Sequence, residues 1–536
     1  MSLGRACLVA LLLAFGLCLG YTDAHAATLD EALTSFTADD FDQTNTGISA
    51  VAASGSPRAE LILRALQNSQ LMFSAAQKKV FIQDESGKLF DAATGQPISG
   101  APPDDLDNVR INNRLRGTLD AALGTLTLLS KNPDTRYKAA QAVFKSHERS
   151  ALPTLEKAIA QETNGGVKTA MEQARAAILL NTPGVTDAQK IAAIAVLRDR
   201  GDEDAQALLA DIPSREAPAV AKAATDAIAA IQTRLAEWEA VQNAWYGISL
   251  GSVLLLAAIG LAITFGVMGV INMAHGEMVM LGAYVTFVVQ QTIRTYDPSL
   301  FDYSLAIAIP LAFLFSGVVG ILIERSIIRF LYGRPLETLL ATWGLSLVLQ
   351  QAVRTVFGAD NRDVGNPSFM SGAFNLGGIT VTYNRLWIVC FALVVFVALI
   401  GILRYTRLGL EMRAVTQNRA MAASMGIRTS RIDALTFGLG SGIAGMAGVA
   451  LSQIDNVSPN LGQGYIIDSF MVVVFGGVGN LWGTFVGSFV LGIANKFLEP
   501  YAGAVLGKIT ILILIILFIQ KRPRGMFALK GRAVEA

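Results

Sequence analysis

Three polar side chains stand close together in an otherwise apolar part of the chain. Asn272, His275 and Glu277 lie within GLAITFGVMGVINMAHGEMVMLGAYV, where small and apolar residues surround them. Polar and ionisable groups are costly in hydrocarbon and persist mainly where they face protein, water or a solute pathway. Two glycines of this stretch, Gly269 and Gly276, would let the backbone bend and expose carbonyl groups. The pattern predicts either direct solute contact or a structural bend between two helices, with Glu277 solvated at a helix start.

A second polar pattern follows along the chain. In LLATWGLSLVLQQAVR, the residues Thr342, Ser346 and Gln350 recur at every fourth position, which places them on one face of a helix. Such a stripe either lines an aqueous path or forms hydrogen bonds to a neighbouring helix in the membrane. Both interpretations stay open, and together with the first group the stripe makes up the candidate solute pathway.

A third stretch is basic and amphipathic. It reads RLGLEMRAVTQNRAMAASMGIRTSR and combines five arginines with a regular pattern of alanine and glycine. This composition favours a short helix that lies across the membrane face and docks into a groove of a partner protein. The alternative is a plain basic loop on the cytoplasmic side.

The remaining motifs do not indicate an enzyme. The letters G-x-G-x-x-G at 440–445 follow no strand and lie in an apolar helix, so close helix packing explains them better than a dinucleotide site. The run GAVLGK at 503–508 has the wrong spacing for a phosphate-binding loop. Three scattered cysteines offer no disulfide or zinc set, and a net charge of +1 does not suit a nucleic-acid partner. We expect no catalytic residue, metal or cofactor.

Two different halves must position these residues. Residues 1–26 read as a signal peptide, with Arg5 before a short apolar core and an A-x-A cleavage site at its end. Residues 28–243 are charged, rich in alanine and helical in pattern. Residues 247–525 contain long apolar runs with few charges, which indicates a polytopic membrane domain. We therefore predict an all-α chain, in which a HEAT-like extracytoplasmic helical domain precedes an α-helical membrane domain.

The first half shows recurring helix–turn units. Turn signals built from Ser, Gly, Asn and Pro separate Ala-rich amphipathic segments, as expected of irregular helical repeats. An ordinary helical bundle is the alternative. The segment Val80–Ile98 alternates and predicts a β-hairpin. The predicted helices are Asp39–Ala53, Pro57–Gln67, Val109–Leu129, Thr135–Phe144, Leu152–Gln161, Gly166–Leu180, Asp187–Arg200 and Glu216–Trp238.

The second half holds nine apolar segments that could cross a membrane. Arginines and lysines cluster in 324–334, in 404–431 and in the tail after 520, and the positive-inside rule places these regions in the cytoplasm. An outer start and an inner end fit an odd number of crossings. The segments are 247–270, 277–293, 304–323, 338–357, 385–403, 432–453, 465–479, 480–498 and 504–520. We expect a bacterial inner-membrane protein in contact with lipid, with its N-terminal domain periplasmic.

Four ordered motifs carry a family resemblance. GVMGVINMAHGEMVMLGAY, LLATWGLSLVLQ, RAMAASMGI and VFGGVGNLWGTFVGS resemble the branched-chain amino acid permease family of ABC importers, over essentially all of 247–530. A secreted helical domain ahead of the permease is similar to the first, long permease subunit of urea ABC importers. The resemblance implies a permease that hydrolyses no ATP itself and conducts urea.

The resemblance also implies partners and a coupling site. The partners would be a periplasmic solute-binding protein, a second homologous permease subunit and two ATP-binding cassette subunits. The family's coupling segment falls within the cytoplasmic loop 404–431, although the Glu of the general E-A-A loop is missing. The implied ATPase-coupling residues are Arg413, Gln417, Asn418, Ala422, Ala423 and Gly426.

Two other functions stay open. The permease could carry branched-chain amino acids or short-chain amides, and a zwitterion would call for fixed charges or helix termini along its path. We see no strong intramembrane Asp/Lys pair in the sequence, which is compatible with a neutral solute. A passive urea or amide channel is the second alternative, but a channel needs no segment for docking an ATPase.

Overall fold

A computed structural model describes residues 29–527, apart from 55, 85–86, 99–102, 104 and 213–215. The predicted signal peptide, 1–26, lies outside the described residues. The chain divides into two compact units, one ending at Leu235 and the other beginning at Ala236. Each unit is described separately below.

The N-terminal unit consists mainly of short helices. Side-chain caps begin several of them: Asp40, Asn132, Asn164 and Asp202 each accept hydrogen bonds from the first backbone N–H groups of the following helix. These caps explain why the turn signals of the sequence separate the helices. The helices are α1 Leu29–Thr34, α2 Phe41–Ala53, α3 Ala59–Gln67, α4 Asn113–Thr127, α5 Pro133–Ser146, α6 Leu152–Gln161, α7 Gly165–Leu180, α8 Asp187–Arg200, α9 Glu203–Ala210 and the start of α10 Pro218–Met268.

A four-stranded antiparallel sheet interrupts these helices. Its strands are β1 Leu71–Ser74, β2 Lys79–Gln83, β3 Leu89–Asp91 and β4 Leu106–Asn108, in the order β3-β2-β1-β4. The β2–β3 pair confirms the predicted hairpin, but the prediction of an all-α chain is wrong for this unit. Strands β1 and β4 are too short for their side chains to show a clear alternation in sequence.

Two apolar clusters form the core of this unit. One joins α2, α3, α4 and the sheet, and includes Ile62, Leu71 and Leu119. The other joins α5–α9 to the first turns of α10 and is rich in alanine, with Ala140, Ala174 and Ala177. Small side chains at these contacts let neighbouring helices approach closely. Helices that are near neighbours in sequence pack together, α4 on α5, α5 on α7 and α7 on α8.

The second unit contains the long apolar helices. They are the remainder of α10, then α11 His275–Tyr296, α12 Ser304–Ser326, α13 Pro335–Phe357, α14 Tyr383–Tyr405, α15 Arg407–Gln417, α16 Arg419–Ser424, α17 Thr429–Leu451, α18 Leu461–Gly476 and α19 Leu481–Lys521. A hairpin of β5 Ala373–Leu376 and β6 Ile379–Thr382 precedes α14. Among the described residues, five helical stretches are long and apolar enough to cross a membrane, and α18 is a shorter apolar helix. Each predicted apolar segment coincides with a helix, while the number of crossings stays a prediction.

Helix α19 is a hairpin of two helical halves. Gly503 breaks it with φ 75° and ψ 164°, a conformation that favours glycine. A Cβ atom on Gly507 would lie 3.7 Å from Cβ of Leu498, whereas nine residues of continuous helix span about 13 Å. The halves 481–502 and 504–521 therefore run in opposite directions. They correspond to the predicted apolar segments 480–498 and 504–520, which are predicted to cross the membrane separately.

Helix α17 packs against three other helices through glycine. A Cβ on Gly440 would lie 2.6 Å from the carbonyl oxygen of Gly260 in α10, and one on Gly448 would lie 2.0 Å from that of Val279 in α11. On a third side, a Cβ on Gly445 would lie 2.6 Å from the carbonyl oxygen of Ala312 in α12. The G-x-G-x-x-G letters thus serve close helix packing.

Candidate functional site

The chain bends between α10 and α11, where the first polar group lies. Gly269 takes φ 67°, and residues 269–274 leave the helical conformation before α11 begins at His275. The Asn272 side chain accepts a hydrogen bond of 3.0 Å from the backbone N–H of Ala274. The structural bend is confirmed, and it is buried, since Asn272 and His275 are each only 1% exposed.

Glu277 is the centre of a buried polar cluster. Its Oε1 atom accepts hydrogen bonds from Ser346 Oγ at 2.8 Å and from Gln350 Nε2 at 2.7 Å. Its Oε2 atom is buried without a hydrogen-bond partner among the described residues. The expectation that Glu277 is solvated at a helix start is wrong, because the residue is 1% exposed. The start of α11 faces protein, and the polar stripe of α13 donates hydrogen bonds to one of the two carboxylate oxygens of Glu277.

The other two predicted residues also bond within the protein. The backbone N–H of Met273 donates to Thr342 Oγ1 at 3.1 Å. The Nε2 atom of His275 lies 2.9 Å from the carbonyl oxygen of Ala257 in α10, and its Nδ1 atom has no partner among the described residues. The structure therefore brings all six predicted pathway residues to the junction of α10, α11 and α13, where each is buried.

A second polar pair lies between α18 and the second half of α19. Lys508 Nζ is 2.9 Å from Asp468 Oδ2, and it is 3.5 Å from the carbonyl oxygen of Gly464. The Asp468 side chain is 6% exposed and that of Lys508 is 44% exposed. The expectation that the membrane half has no Asp/Lys pair is wrong. The two residues are separated by forty positions, and no local spacing could show their contact.

The basic segment forms two short helices, α15 and α16, that follow α14 after a sharp turn. The Arg413 guanidinium donates to the carbonyl oxygen of Leu403, and the Asn418 side chain caps α16 by accepting from the N–H of Met421 at 2.9 Å. Ala422 is buried, whereas Gln417, Ala423 and Gly426 are exposed. Arg413, Asn418 and Ala422 therefore shape the segment, and the others lie on its accessible surface.

Two methionines give this surface an apolar character that the residue predictions missed. Met421 is 65% exposed and Met425 is 80% exposed, at the two ends of α16. Leu410 of α15 is 61% exposed. Unbranched, polarisable methionine side chains adapt well to protein contacts. Their four-residue spacing in RAMAASMGI was the available signal.

Arg419 connects α16 to the helices of the membrane half. Its guanidinium forms an ion pair with the carboxylate of Asp433 in α17, which is fully buried. The guanidinium also lies 4.8 Å from the ring centre of Tyr332, and the Tyr332 hydroxyl donates to Glu324 Oε1 of α12 at 3.2 Å. A displacement of α16 would therefore act on both α12 and α17.

A cavity of about 440 Å³ adjoins the same segment. It lies between α10, α15 and the start of α19, with Arg413 and Gln417 on one side and Asn480 on another. In the part of the chain that the structure describes, no group of three or more His, Cys, Asp or Glu side chains is arranged to hold a metal ion.

Comparison with known proteins identifies relatives of the second unit. Residues 243–519, just over half of the chain, match the family described as branched-chain amino acid transport system / permease component. The high-affinity branched-chain amino acid transport system permease protein LivH of Escherichia coli (strain K12) is 32% identical over 295 residues, which cover 53% of this chain and 94% of LivH. BraD of Pseudomonas aeruginosa, a permease protein of the same description, is 30% identical over 52% of this chain and 93% of its own length.

A more distant relative transports a different solute. The ribose import permease protein RbsC of Escherichia coli (strain K12) is 24% identical over 51% of this chain and 82% of its own length. No solved structure matches the chain. The match to LivH uses 94% of that protein, so LivH has no remaining stretch of a length comparable to the N-terminal unit described above.

Proposed function

Because the chain belongs to the family of branched-chain amino acid transport system permease components, we propose that it moves urea across the inner membrane as one permease subunit of an ABC importer. The family and the apolar helices support a multi-pass inner-membrane permease. Its relatives are transport components, so ATP hydrolysis belongs to partner subunits. The solute, the orientation and the subunit composition are the proposed parts.

The observation that carries the urea proposal is the N-terminal unit. It is a separate compact unit. The amino acid permease LivH has no unmatched stretch long enough to form such a unit. A long permease subunit with such a domain is similar to those of urea importers. Packing between helices that are near neighbours in sequence supports helical repeats for this unit, and repeats of this kind offer a concave surface for a partner. We place this unit in the periplasm, where the solute-binding protein acts.

Branched-chain amino acids or short-chain amides are the second candidate solutes. The two relatives of highest identity given above are named for branched-chain amino acids. Lys508 favours a zwitterion, because its partly exposed ammonium group offers a cation to a solute carboxylate between apolar helices. A passive urea channel has less support, since these relatives are components of active importers.

We propose a structural role for the six buried residues around Glu277. Their hydrogen bonds connect protein groups of α10, α11 and α13, and none of the six is more than 5% exposed. A hydrogen-bonded polar contact between membrane helices fixes their positions. In this arrangement the cluster holds the bend at 269–274, and it determines how α11 and α13 move together.

The coupling surface is the exposed side of α15 and α16. In the proposal, Met421 and Met425 insert into a groove on one ATPase subunit, while Gln417, Ala423 and Gly426 border the contact. Closure of the ATPases then moves α16, and the Arg419–Asp433 ion pair conveys the movement to α17. Because α17 contacts α10, α11 and α12 through glycines, its displacement would open the path on one side of the membrane and close it on the other. A second permease subunit completes the path.

Uptake of labelled urea into cells with and without this gene tests the proposal. We expect ATP-dependent urea uptake that disappears on deletion of the gene and is not reduced by excess unlabelled leucine. Competition by leucine would transfer the assignment to amino acids, and uptake that survives ATP depletion would favour the channel. Deletion of 422–427 should abolish uptake, and uptake that survives this deletion would contradict the coupling role.

A further inference from the structure

Lys508 carries a positive charge on a helix surface that is otherwise apolar. Its neighbours on the second half of α19 include Val505 and Leu512, which are 72% and 39% exposed. The Lys508 side chain is 44% exposed beside them. Ionisable groups in membrane helices face the protein interior or water, and a charge directed at lipid tails is unfavourable. Contact between this part of the helix surface and lipid tails is therefore unfavourable.

Asp468 lies near the middle of the apolar helix α18. Asp468 is seven residues after the start of α18 and eight residues before its end at Gly476, about 10 and 12 Å along the axis. Lys508 follows the break at Gly503 by only five residues, a distance from which its side chain could extend to the membrane surface. The ammonium group instead contacts Asp468 at 2.9 Å.

The pair is open on one side. An ammonium group has three N–H donors, and Lys508 directs one to Asp468 and is 3.5 Å from the carbonyl oxygen of Gly464. Gly464 and Ile467 of α18 are exposed next to it. Asp468, by contrast, is buried behind the lysine at 6% exposure. Lys508 is thus a charged donor positioned by a buried carboxylate, with its ammonium nitrogen 6.0 Å from the ring centre of Tyr465 and its side chain partly exposed between α18 and α19.

We propose that Lys508 lines the solute path and binds the carbonyl or carboxylate oxygen of the solute, with Asp468 as its positioning residue. This inference rests on the proposed permease function and adds a solute-contacting group to it. In this proposal the exposed surface around Lys508 faces the second permease subunit, which would cover the charge and leave a path for water and solute. Urea and amino acids share the oxygen acceptor that Lys508 would bind.

Transport by the assembled importer in proteoliposomes tests this role, with labelled urea and labelled leucine as probes. The double variant Lys508→Met/Asp468→Leu replaces both charges by apolar groups, which often leaves folding stability unchanged or improved. We expect the double variant to keep the Tm of the wild-type complex while KM for the transported probe rises at least tenfold. Leu512→Met, on the same side of the helix one turn further along, is the matched control and should keep the wild-type KM.

Three results would overturn the assignment. A double variant with the wild-type Tm and the wild-type KM would show that the pair only joins α18 to α19. A single variant Lys508→Met with unchanged Tm and KM would show that the lysine extends to the lipid surface. A rise in KM that Leu512→Met reproduces would show that the effect is not specific to the charge. Absence of any ATP-dependent uptake by the wild-type importer would instead overturn the proposed function itself, and the inference with it.

A neutral pair distinguishes the two solute classes. Lys508→Gln/Asp468→Asn retains hydrogen-bonding groups at both positions but removes both charges. If the bound oxygen belongs to the neutral carbonyl of urea, KM should stay within about threefold of the wild-type value, since an amide N–H replaces the ammonium donor. If it belongs to the carboxylate of leucine, KM should remain at least tenfold higher, because the variant removes the cation that forms an ion pair with that carboxylate.

Discussion

Arg419 of the exposed helix α16 forms an ion pair with Asp433, a residue of α17 that has no exposed surface. The arginine side chain itself is 43% exposed. Arg419 is thus accessible to a partner, while Asp433 lies near the start of α17, where this helix packs among the other helices. An ion pair with this geometry can transmit a movement of the accessible helix, because separating its members would leave a buried carboxylate without its cation.

Replacement of Arg419 by methionine should uncouple transport. We expect ATP-dependent uptake to fall at least tenfold, since Asp433 loses the cation that connects it to α16, while Arg419→Lys should keep part of the activity. Uptake by the purified importer, normalised to its ATPase rate, is the measurement. Arg428→Met is the matched control, because Arg428 is exposed in the same loop, and an equal loss there would contradict the specific role of Arg419.

Charges on the methionine surface should prevent docking of the ATPase. Met421→Glu and Met425→Glu place carboxylates on side chains that are 65% and 80% exposed, so folding of the permease should be little affected. We expect co-purification of the ATPase subunits to fall at least tenfold. Met421→Leu retains the apolar contact and should bind normally. Normal co-purification of both glutamate variants would exclude this surface as the docking site.

Addition of a single methyl group to Gly282 should disturb the helix packing. A Cβ there would lie 1.9 Å from the carbonyl oxygen of Gly445 in α17, so Gly282→Ala must force α11 away from α17. Overpacking typically costs about 1–3 kcal/mol, and we expect a lower Tm and less protein in the membrane. Gly344→Ala in α13 is the control, since no atom lies within 4 Å of a Cβ at that position. Equal Tm values for the two variants would contradict the close contact.

Removal of the Glu277 charge distinguishes a structural from a transport role. Glu277→Gln keeps an oxygen that can accept the hydrogen bonds of Ser346 and Gln350, so we expect KM for uptake to stay within about threefold of the wild type. Glu277→Leu removes the acceptor of Ser346 and leaves Gln350 with only the Ser346 oxygen, at 3.2 Å, so it should reduce the amount of folded protein in the membrane. A large rise in KM for Glu277→Gln, at normal protein level, would show instead that the carboxylate contacts the solute.

Low pH should reduce the stability of the N-terminal unit around the ion pair between Arg136 and Glu162. Glu162 is bound by Arg136 through contacts of 2.5 and 2.9 Å and accepts from two backbone N–H groups, at Thr163 and Asn164. The Arg136 hydrogen bonds lower the pKa of Glu162 to about 2. Since an unfolded glutamate has a pKa of about 4.3, the stabilisation is fully present above that value and is lost as pH falls towards 2.

Hydrogen exchange of α6 and α7 in the full chain, corrected for the intrinsic rate, measures this loss. Protection should be equal at pH 7 and pH 5 and should decrease between about pH 4 and pH 2. Glu162→Gln should reduce protection at pH 7 and remove most of the acid dependence, whereas the exposed Glu156→Gln should behave as the wild type. An acid profile that is the same in Glu162→Gln and in the wild type would assign the loss to other groups.

Local patterns of the sequence predicted the helices well, and contacts between distant segments poorly. Helices such as α7 and α8 follow from amphipathic periodicity and capping residues, and the glycines of α17 indicated close packing by composition alone. The contact of Asp468 with Lys508 depends on the hairpin at Gly503, which brings the second half of α19 next to α18. The spacing of residues along the sequence does not show which residues then meet. The burial of Glu277 was missed for a similar reason, because its partners Ser346 and Gln350 come from α13.

The glycine contacts of α17 also restrict how this permease can be redesigned. On three sides its glycines lie against backbone carbonyl groups of neighbouring helices, so a larger residue at these glycines would require a neighbouring helix to move. A programme of directed evolution towards a new cargo would find few tolerated changes there. The surface beside Lys508, where Val505 and Leu512 are exposed, is the more promising target for such libraries.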